Sequence, residues 1–99
     1  MKERDVEQYL REQVKVIQGR AYKFISPGNA GVPDRLLLLP GGRAVFVEVK
    51  APGKKQTPLQ IAAGKKISML GFAVFVIDSR QGVDDFIREH GPANAAGRT

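Results

Sequence analysis

Hydrophobic residues recur at three- and four-residue steps in the first part of the chain. The positions in this register are Val6, Tyr9, Leu10, Val14 and Ile17. Such a spacing places apolar side chains on one face of a helix. It predicts an amphipathic helix over residues 3–17, which Gly19 ends.

Three short apolar segments follow, and they predict strands. Residues 21–25 are aromatic and β-branched and lead into a run of turn-forming residues. Residues 36–39 form an unbroken apolar run, which is consistent with a buried strand. The sequence Pro-Gly-Gly at residues 40–42 predicts a tight turn, after which residues 44–50 form the return strand of a hairpin.

The second half of the chain alternates between helix and strand signals. Thr57 at an N-cap and Pro58 in the first turn predict a helix that runs to Leu70 and ends at Gly71. Residues 72–77 are consecutively apolar, and they predict a central strand buried on both faces. Residues 83–90 predict a last helix.

The predicted order of elements is therefore αβββαβα, an α/β fold in which helices flank a central mixed sheet. A length of 99 residues suits one compact domain. We expect this domain to span residues 1–92 and a disordered tail to occupy residues 93–99.

Composition restricts the classes of site and partner. Sixteen Lys and Arg residues oppose ten Asp and Glu residues, and the net charge of +6 attracts polyanions such as nucleic acids, although it could serve solubility alone. Cys is absent and one His is present, so a bound metal must be held by oxygen ligands. No apolar run approaches the roughly 20 residues that cross a bilayer, and the first residues do not resemble a signal peptide. We therefore expect an intracellular protein that does not associate with membranes.

Three charged residues are predicted to meet at one end of the hairpin. Side chains alternate between the two faces of a strand, so Glu48 and Lys50 share one face, about 6–7 Å apart. Asp34 begins the partner strand, and the turn at residues 40–42 brings it to the same end of the sheet. Taken separately, a Glu-x-Lys pair on a strand is usually solvated, and an Asp after Pro usually belongs to a turn.

Taken together, these residues indicate phosphodiester hydrolysis. Two carboxylates can hold Mg²⁺ or Mn²⁺. Such an ion lowers the pKa of a bound water and neutralises charge on the scissile phosphate. A neighbouring lysine can orient the attacking water or stabilise the transition state.

The hairpin and its flanking loops resemble the VRR-NUC family, the virus-type replication-repair nucleases of the PD-(D/E)xK superfamily. The resemblance is carried by SPGNAGVPDR at residues 26–35, FVEVKAPGK at residues 46–54, and Gln60. It covers the chain up to about Glu89. It implies a restriction-endonuclease-like core and a stand-alone nuclease domain.

The resemblance also implies roles for individual residues. Asp34, Glu48 and the carbonyl of Val49 would be the metal ligands, and Lys50 would be the catalytic lysine. Gln60, on the following helix, would help to orient the site or contact the substrate.

The family also carries a glutamate on its first helix. Glu3 and Glu7 lie one turn apart on one face of that predicted helix, and both are candidates. We favour Glu7, because it lies inside the apolar register of the helix.

Basic residues near the site are candidate DNA contacts. Lys54 and Lys55 directly follow the predicted catalytic strand, and Arg35 and Arg43 lie on the hairpin strands. Tyr22 and Phe24 could stack on an unpaired base, but their strand setting favours core packing.

The leading hypothesis is thus a Mg²⁺- or Mn²⁺-dependent DNA endonuclease. The resemblance implies branched or structured DNA, such as Holliday junctions, as substrate and a homodimer, with or without exchanged elements, as the active form. The alternative is a non-catalytic nucleic-acid-binding module that retains the nuclease fold.

Overall fold

The structure is a computed structural model, and it describes residues 1–91 of the chain. The predicted disorder of residues 93–99 concerns a segment outside the described residues. Three helices and four strands follow one another as α1 Glu3–Val16, β1 Arg20–Lys23, β2 Arg35–Leu39, β3 Arg43–Val49, α2 Pro58–Met69, β4 Ala73–Ile77 and α3 Arg80–His90. This order confirms the predicted α/β fold.

The four strands form one mixed sheet in the order β1-β2-β3-β4. The first three strands are antiparallel neighbours, and β3 and β4 are parallel. Leu39 pairs with Arg43, so the predicted turn at residues 40–42 closes the hairpin. A parallel pair requires a long crossover connection, and α2 supplies it between β3 and β4.

The hydrophobic core lies between one face of the sheet and helices α1 and α3. The α1 residues of the apolar register are buried, and they pack against alternate residues of the strands. The core residues on α1, α3 and the two central strands include Val6, Leu10, Val14, Val83, Phe86, Leu37, Val45, Val47 and Val49. Since side chains alternate along a strand, the residues between them, including Glu48, face the other side of the sheet, where α2 lies.

The prediction for the last strand was wrong in its position. β4 lies at an edge of the sheet and pairs only with β3 among the described residues. The side chain of Val76 in β4 is about half exposed, and so is that of Phe72, which directly precedes the strand. A continuous apolar run is typical of a strand buried on both faces, but here α2 covers the second face only in part.

Two helix ends differ from the predicted ones. α1 ends at Val16, and Gln18 rather than Gly19 takes the left-handed conformation that follows it, with a φ of 71°. α3 begins at Arg80, a turn earlier than predicted, because the Ser79 hydroxyl accepts a hydrogen bond from the Gly82 N–H and caps the helix.

None of the helices in residues 1–91 is long and apolar enough to cross a bilayer.

Gly31 sets the distance between the loop before β2 and the start of α2. Its φ is +89°, and a Cβ atom there would lie 2.6 Å from the Leu59 carbonyl oxygen, which belongs to α2. Gly28 in the same loop has a similar φ of +82°, but a Cβ there would meet nothing within 4 Å. A substitution at either glycine introduces left-handed backbone strain, but only a substitution at Gly31 also introduces a steric clash.

We expect Gly31→Ala to lower the free energy of unfolding more than Gly28→Ala. Left-handed backbone strain alone costs a non-glycine residue about 1–2 kcal/mol, and Gly31→Ala adds displacement of α2. Urea denaturation of both variants measures the difference. Equal losses would contradict the close packing of the loop on α2.

Candidate active site

Asp34 lies at the point where β2 begins. Arg35 pairs with Val47 in the hairpin register, so the same register carried one residue further places Asp34 opposite Glu48. The Asp34 carboxylate accepts a hydrogen bond of 3.0 Å from the Val49 N–H. The N–H and C=O of one strand residue point to the same side, so the carbonyl of Val49 also faces Asp34.

Glu48 is the one charged residue among the buried residues in the described part of the chain, at 5% exposure. Its Oε2 accepts a hydrogen bond of 3.1 Å from the Gln60 side-chain amide and lies 3.9 Å from Lys50 Nζ. Its Oε1 is buried and has no hydrogen-bond partner. A buried polar atom without a partner costs about 1–3 kcal/mol, and more if it is charged.

Burial and neighbouring acids raise the cost of ionising both carboxyl groups. Burial raises the pKa of Glu48 to about 7, the nearby Asp34 carboxylate adds to the increase, and Lys50 opposes it. Burial also raises the pKa of Asp34, against the hydrogen bond from the Val49 N–H. The site is therefore short of positive charge when both acids are ionised.

Lys50 is the third charged residue of the site, beside Asp34 and Glu48. Its side chain is 14% exposed, and its backbone N–H donates to the carbonyl of Ile77 at the end of β4. The parallel strand thus anchors the backbone at Lys50. The structure brings Asp34, Glu48 and Lys50 together at one end of the sheet.

Gln60 reaches the site because of how α2 begins. The Thr57 hydroxyl accepts from the Gln60 N–H, while the Gln60 side-chain oxygen accepts from the Thr57 N–H. This is a capping box. It leaves the amide NH₂ of Gln60 free to donate to Glu48, so one side chain both caps the helix and holds the buried acid.

Glu7 approaches the site from α1, but an arginine holds it. The Arg35 guanidinium donates to the Glu7 carboxylate in an ion pair, and the Arg35 side chain is 11% exposed. Arg35 is therefore occupied in the interior and does not lie open to a phosphate. Glu3 raises the pKa of Glu48 through its charge, and Glu7 acts in the same way on Asp34. Both candidate glutamates of α1 thus affect the carboxyl groups of the site.

The other basic residues predicted to contact DNA lie in two settings, and the aromatic residues Phe24 and Tyr22 differ from each other. Lys54 and Lys55 are exposed in the loop after β3. Arg43 begins β3, about 16 Å from Glu48 by strand rise, and donates to the carbonyl of His90. Phe24 packs edge-to-face on Phe46, with 5.5 Å between ring centroids. Tyr22 is 53% exposed and does not pack in the core, contrary to the interpretation we favoured from its strand setting.

Asp78 is a residue that the sequence analysis missed. Its carboxylate accepts from the Gly53 N–H at 3.2 Å and ties the loop after Lys50 to the end of β4. An acid directly after an apolar strand was the available signal, because the ends of neighbouring parallel strands lie at the same edge of a sheet.

Comparison with known proteins identifies the family. No family model matches the chain. A curated relative, "Putative nuclease p44" of Acyrthosiphon pisum secondary endosymbiont phage 1, is 49% identical over 80 residues, which cover 81% of this chain and 86% of the relative. A solved structure of a VRR-NUC domain has a TM-score of 0.84 and 33% identity and covers 91% of this chain and 98% of its own. This chain belongs to the VRR-NUC family.

The donor atoms of this VRR-NUC site suit a hard cation. Carboxylate and carbonyl oxygens are the ligands that Mg²⁺ and Mn²⁺ prefer, and the unpartnered Oε1 of Glu48 is one of them. Within residues 1–91, no group of three or more His, Cys, Asp or Glu side chains is arranged to hold a metal. Asp34, Glu48 and the Val49 carbonyl stay the candidate ligands, because the structure brings their oxygen atoms to one end of the sheet, and water and substrate would supply the others.

The raised pKa of Glu48 predicts a pH-dependent stability of the VRR-NUC domain without divalent metal. The folded-state pKa is about 7, against an ordinary value of 4.5. The folded state then binds more protons than the unfolded state between these values, so the free energy of unfolding falls as the pH rises through this window. The shift corresponds to a change of roughly 3 kcal/mol in the free energy of unfolding.

Glu48→Gln should remove most of this pH dependence, and the variant should be the more stable protein at pH 8 in EDTA. Urea denaturation between pH 4.5 and pH 8 measures both effects. Parallel pH profiles for the two proteins would contradict the assignment to Glu48.

Proposed function

We propose that this chain is a Mg²⁺- or Mn²⁺-dependent endonuclease that hydrolyses phosphodiester bonds in DNA. The observation that carries the proposal is the buried carboxyl of Glu48, with one oxygen unpartnered, beside Asp34 and Lys50. A structural ion pair would leave no acceptor oxygen buried without a donor. Membership of a nuclease family supports the same reaction.

In this proposal, Asp34, Glu48 and the carbonyl of Val49 hold the cation. When bound, the ion acidifies a water molecule and offsets the charge that develops on the phosphate. The Val49 N–H fixes one oxygen of Asp34, and Gln60 fixes one oxygen of Glu48. Each acid thus keeps its other oxygen available as a ligand.

Lys50 is the proposed catalytic lysine. Its ammonium lies on the same face of β3 as Glu48 and is mostly shielded from water. A positive charge fixed in a shielded site interacts more strongly with developing negative charge than it would in bulk water. It can therefore orient the attacking water or stabilise the phosphorane.

Gln60 and Arg35 act as positioning residues in this proposal. Gln60 orients Glu48, and the capping box holds Gln60 in place. Arg35 orients Glu7 next to the site. Lys54 and Lys55, which are exposed beside the site, are the proposed phosphate contacts.

We expect Lys50→Ala to lower the rate of DNA cleavage by about 10²- to 10⁴-fold, because it removes the charge that assists proton transfer or the transition state. Asp34→Ala should lower it at least as much. The measurement uses labelled junction, flap and plain duplex DNA with Mg²⁺, with Mn²⁺ and with EDTA.

Arg88→Ala is the matched control, because Arg88 is an exposed cation on α3 whose side chain is 62% exposed and pairs only with surface acids. The Arg88→Ala variant should cleave DNA at the same rate as the unaltered chain. If Lys50→Ala loses cleavage but still binds DNA, the result supports an enzyme in which Lys50 acts in catalysis. Binding without cleavage by the unaltered chain, under any divalent metal, would instead favour the non-catalytic module.

We further propose that the chain acts as a homodimer on branched or structured DNA such as Holliday junctions. The preference for branched DNA rests on the family resemblance. A two-fold dimer presents two sites to a pseudo-symmetric junction. Exchange of elements between protomers is compatible with this arrangement.

The surface of α2 supports the dimer. Gly64 is the one buried residue of this helix, while large apolar side chains lie exposed along it and beside it. They are Leu59, Ile61, Met69, Leu70, Phe72 and Val76. A helix that is apolar on several sides is normally covered, and exposed apolar side chains that form a patch mark an interaction site.

Ile61→Glu and Met69→Glu should each shift the protein toward the 10.8 kDa monomer, because a carboxylate in an apolar interface loses its hydration. Val16→Glu is the control, since Val16 is 70% exposed at the end of α1, away from α2. Sedimentation velocity measures the mass. A wild-type monomer at working concentration would overturn the dimer.

The proposed substrate places the activity inside a cell, in replication, recombination or repair. The phage origin of the curated relative agrees with a phage-infected or bacterial cytoplasm as the location.

A further inference from the structure

We propose that the groove between α1 and β1 binds the phosphodiester backbone of a DNA arm that leads away from the active site. The inference rests on the proposed function and extends it to a second surface. The groove is lined by Arg11, Lys15, Arg20, Ala21 and Tyr22 and has a volume of about 210 Å³. Three of its five residues are cations, and the fourth side chain is an exposed aromatic ring.

The groove starts one helical turn beyond Glu7, the α1 residue next to the active site. Glu7, which Arg35 holds beside Asp34, lies one helical turn before Arg11 and contacts it at 3.9 Å. Lys15 follows one further turn along the same side of α1. At 1.5 Å per residue, Lys15 lies about 12 Å from Glu7 along the helix, which is the rise of three to four base pairs.

β1 forms the second wall and runs in the same direction from the site. Lys23 pairs with Arg35 at the catalytic end of the sheet, and it is exposed. Arg20 lies at the far end of the strand, opposite Leu38. Exposed cations thus occur on both α1 and β1 between the site and the other end of the sheet, with Arg20 and Tyr22 on the strand face opposite to Ala21 and Lys23.

Beyond Glu7, the cations and the acid of α1 lie on different sides of the helix. Arg11 and Lys15 line the groove, whereas Glu12 lines a separate polar cavity toward α3, together with Asp5, Gln8, Tyr9 and Arg80. A helix that is merely solvated would mix the two signs around its surface. Among the ion pairs of the described residues, none involves Lys15 or Arg20, and the Arg11 contact with Glu7 is long.

The competing explanation for these cations is that they protect an edge strand from pairing with other chains. β1 is an edge of the sheet, and charged residues there prevent pairing with other chains. That purpose accounts for Arg20 and Lys23, but it does not require Arg11 and Lys15, which lie on a helix. It also leaves Tyr22 exposed at the same edge, where its ring can pack on a sugar or an unpaired base.

The groove would also supply phosphate contacts that the two hairpin arginines, Arg35 and Arg43, do not supply. Arg35 is paired with Glu7 in the interior, and Arg43 is bonded to the carbonyl of His90. Lys54 and Lys55 lie on the other side of the site, in the loop after β3. The DNA would therefore be held on both sides of the scissile phosphate.

The test compares two double variants that remove the same charge. Lys15→Gln with Arg20→Gln alters the groove, and Arg80→Gln with Arg88→Gln alters α3. Both are made in the Lys50→Ala background, and binding to a DNA junction with long arms is measured from 50 to 200 mM salt. Each lost phosphate contact should reduce the slope of log K against log salt by about 1.

We expect the groove variant to lose about two in slope and roughly tenfold or more in affinity at 100 mM salt, and the α3 variant to change much less. Lys15→Arg with Arg20→Lys should restore the slope. Shortening the arms to a few base pairs should abolish the difference between the two variants. Thermal unfolding checks that both variants fold.

Equal slopes for the groove and α3 variants would overturn this inference while leaving the proposed nuclease intact. Increased aggregation of the groove variant with unchanged DNA binding would overturn it in favour of edge protection. Failure of the unaltered chain to bind and cleave DNA would refute the proposed function, and the groove inference with it.

Discussion

The burial of the Glu48 carboxyl beside Asp34 is the constraint on which the rest of the site depends. A carboxylate removed from water must find donors or a cation, and Glu48 finds only Gln60 and a distant Lys50 for one of its two oxygens. Its raised pKa reflects the same deficit. The hairpin tolerates this cost because its core face, built from Val45, Val47 and Val49, is fully packed.

Helix α2 links the site to the outer surface. Its first turn presents Gln60 to Glu48 through the capping box. Gly31 allows the loop before β2 to pack directly on that turn. The rest of α2 contributes one buried glycine and leaves apolar side chains exposed. A partner that covers α2 would therefore also steady the residue that orients the buried acid. In this way the proposed dimer and the proposed catalytic geometry depend on the same helix.

The basic residues of the chain divide into two groups with different physical roles. Arg35 lies in the interior, where its guanidinium offsets the charge of Glu7 next to the two acids of the sheet. Arg11, Lys15 and Arg20 line a surface groove whose lining contains no acid. The first group contributes to the organisation of the site, and the second is available to a polyanion. Net charge alone does not distinguish the two groups.

Local sequence signals determined most of the elements. The apolar periodicity predicted α1, the Pro-Gly-Gly turn predicted the β2–β3 hairpin, and Thr57 with Pro58 predicted the start of α2. Strand alternation placed Glu48 and Lys50 on one face, and hairpin register brought Asp34 to them, because both are properties of a few neighbouring residues. The limits of the domain and the roles of the site residues remain predictions.

Contacts between distant segments decided the rest. The edge position of β4, the capture of Arg35 by Glu7, the bond of Arg43 to His90 and the exposure of Tyr22 join or separate residues far apart in the chain. An apolar run or a cation has the same local pattern whichever partner it meets. Only the packing of helices on the sheet selects that partner, and with it the surface that remains for DNA.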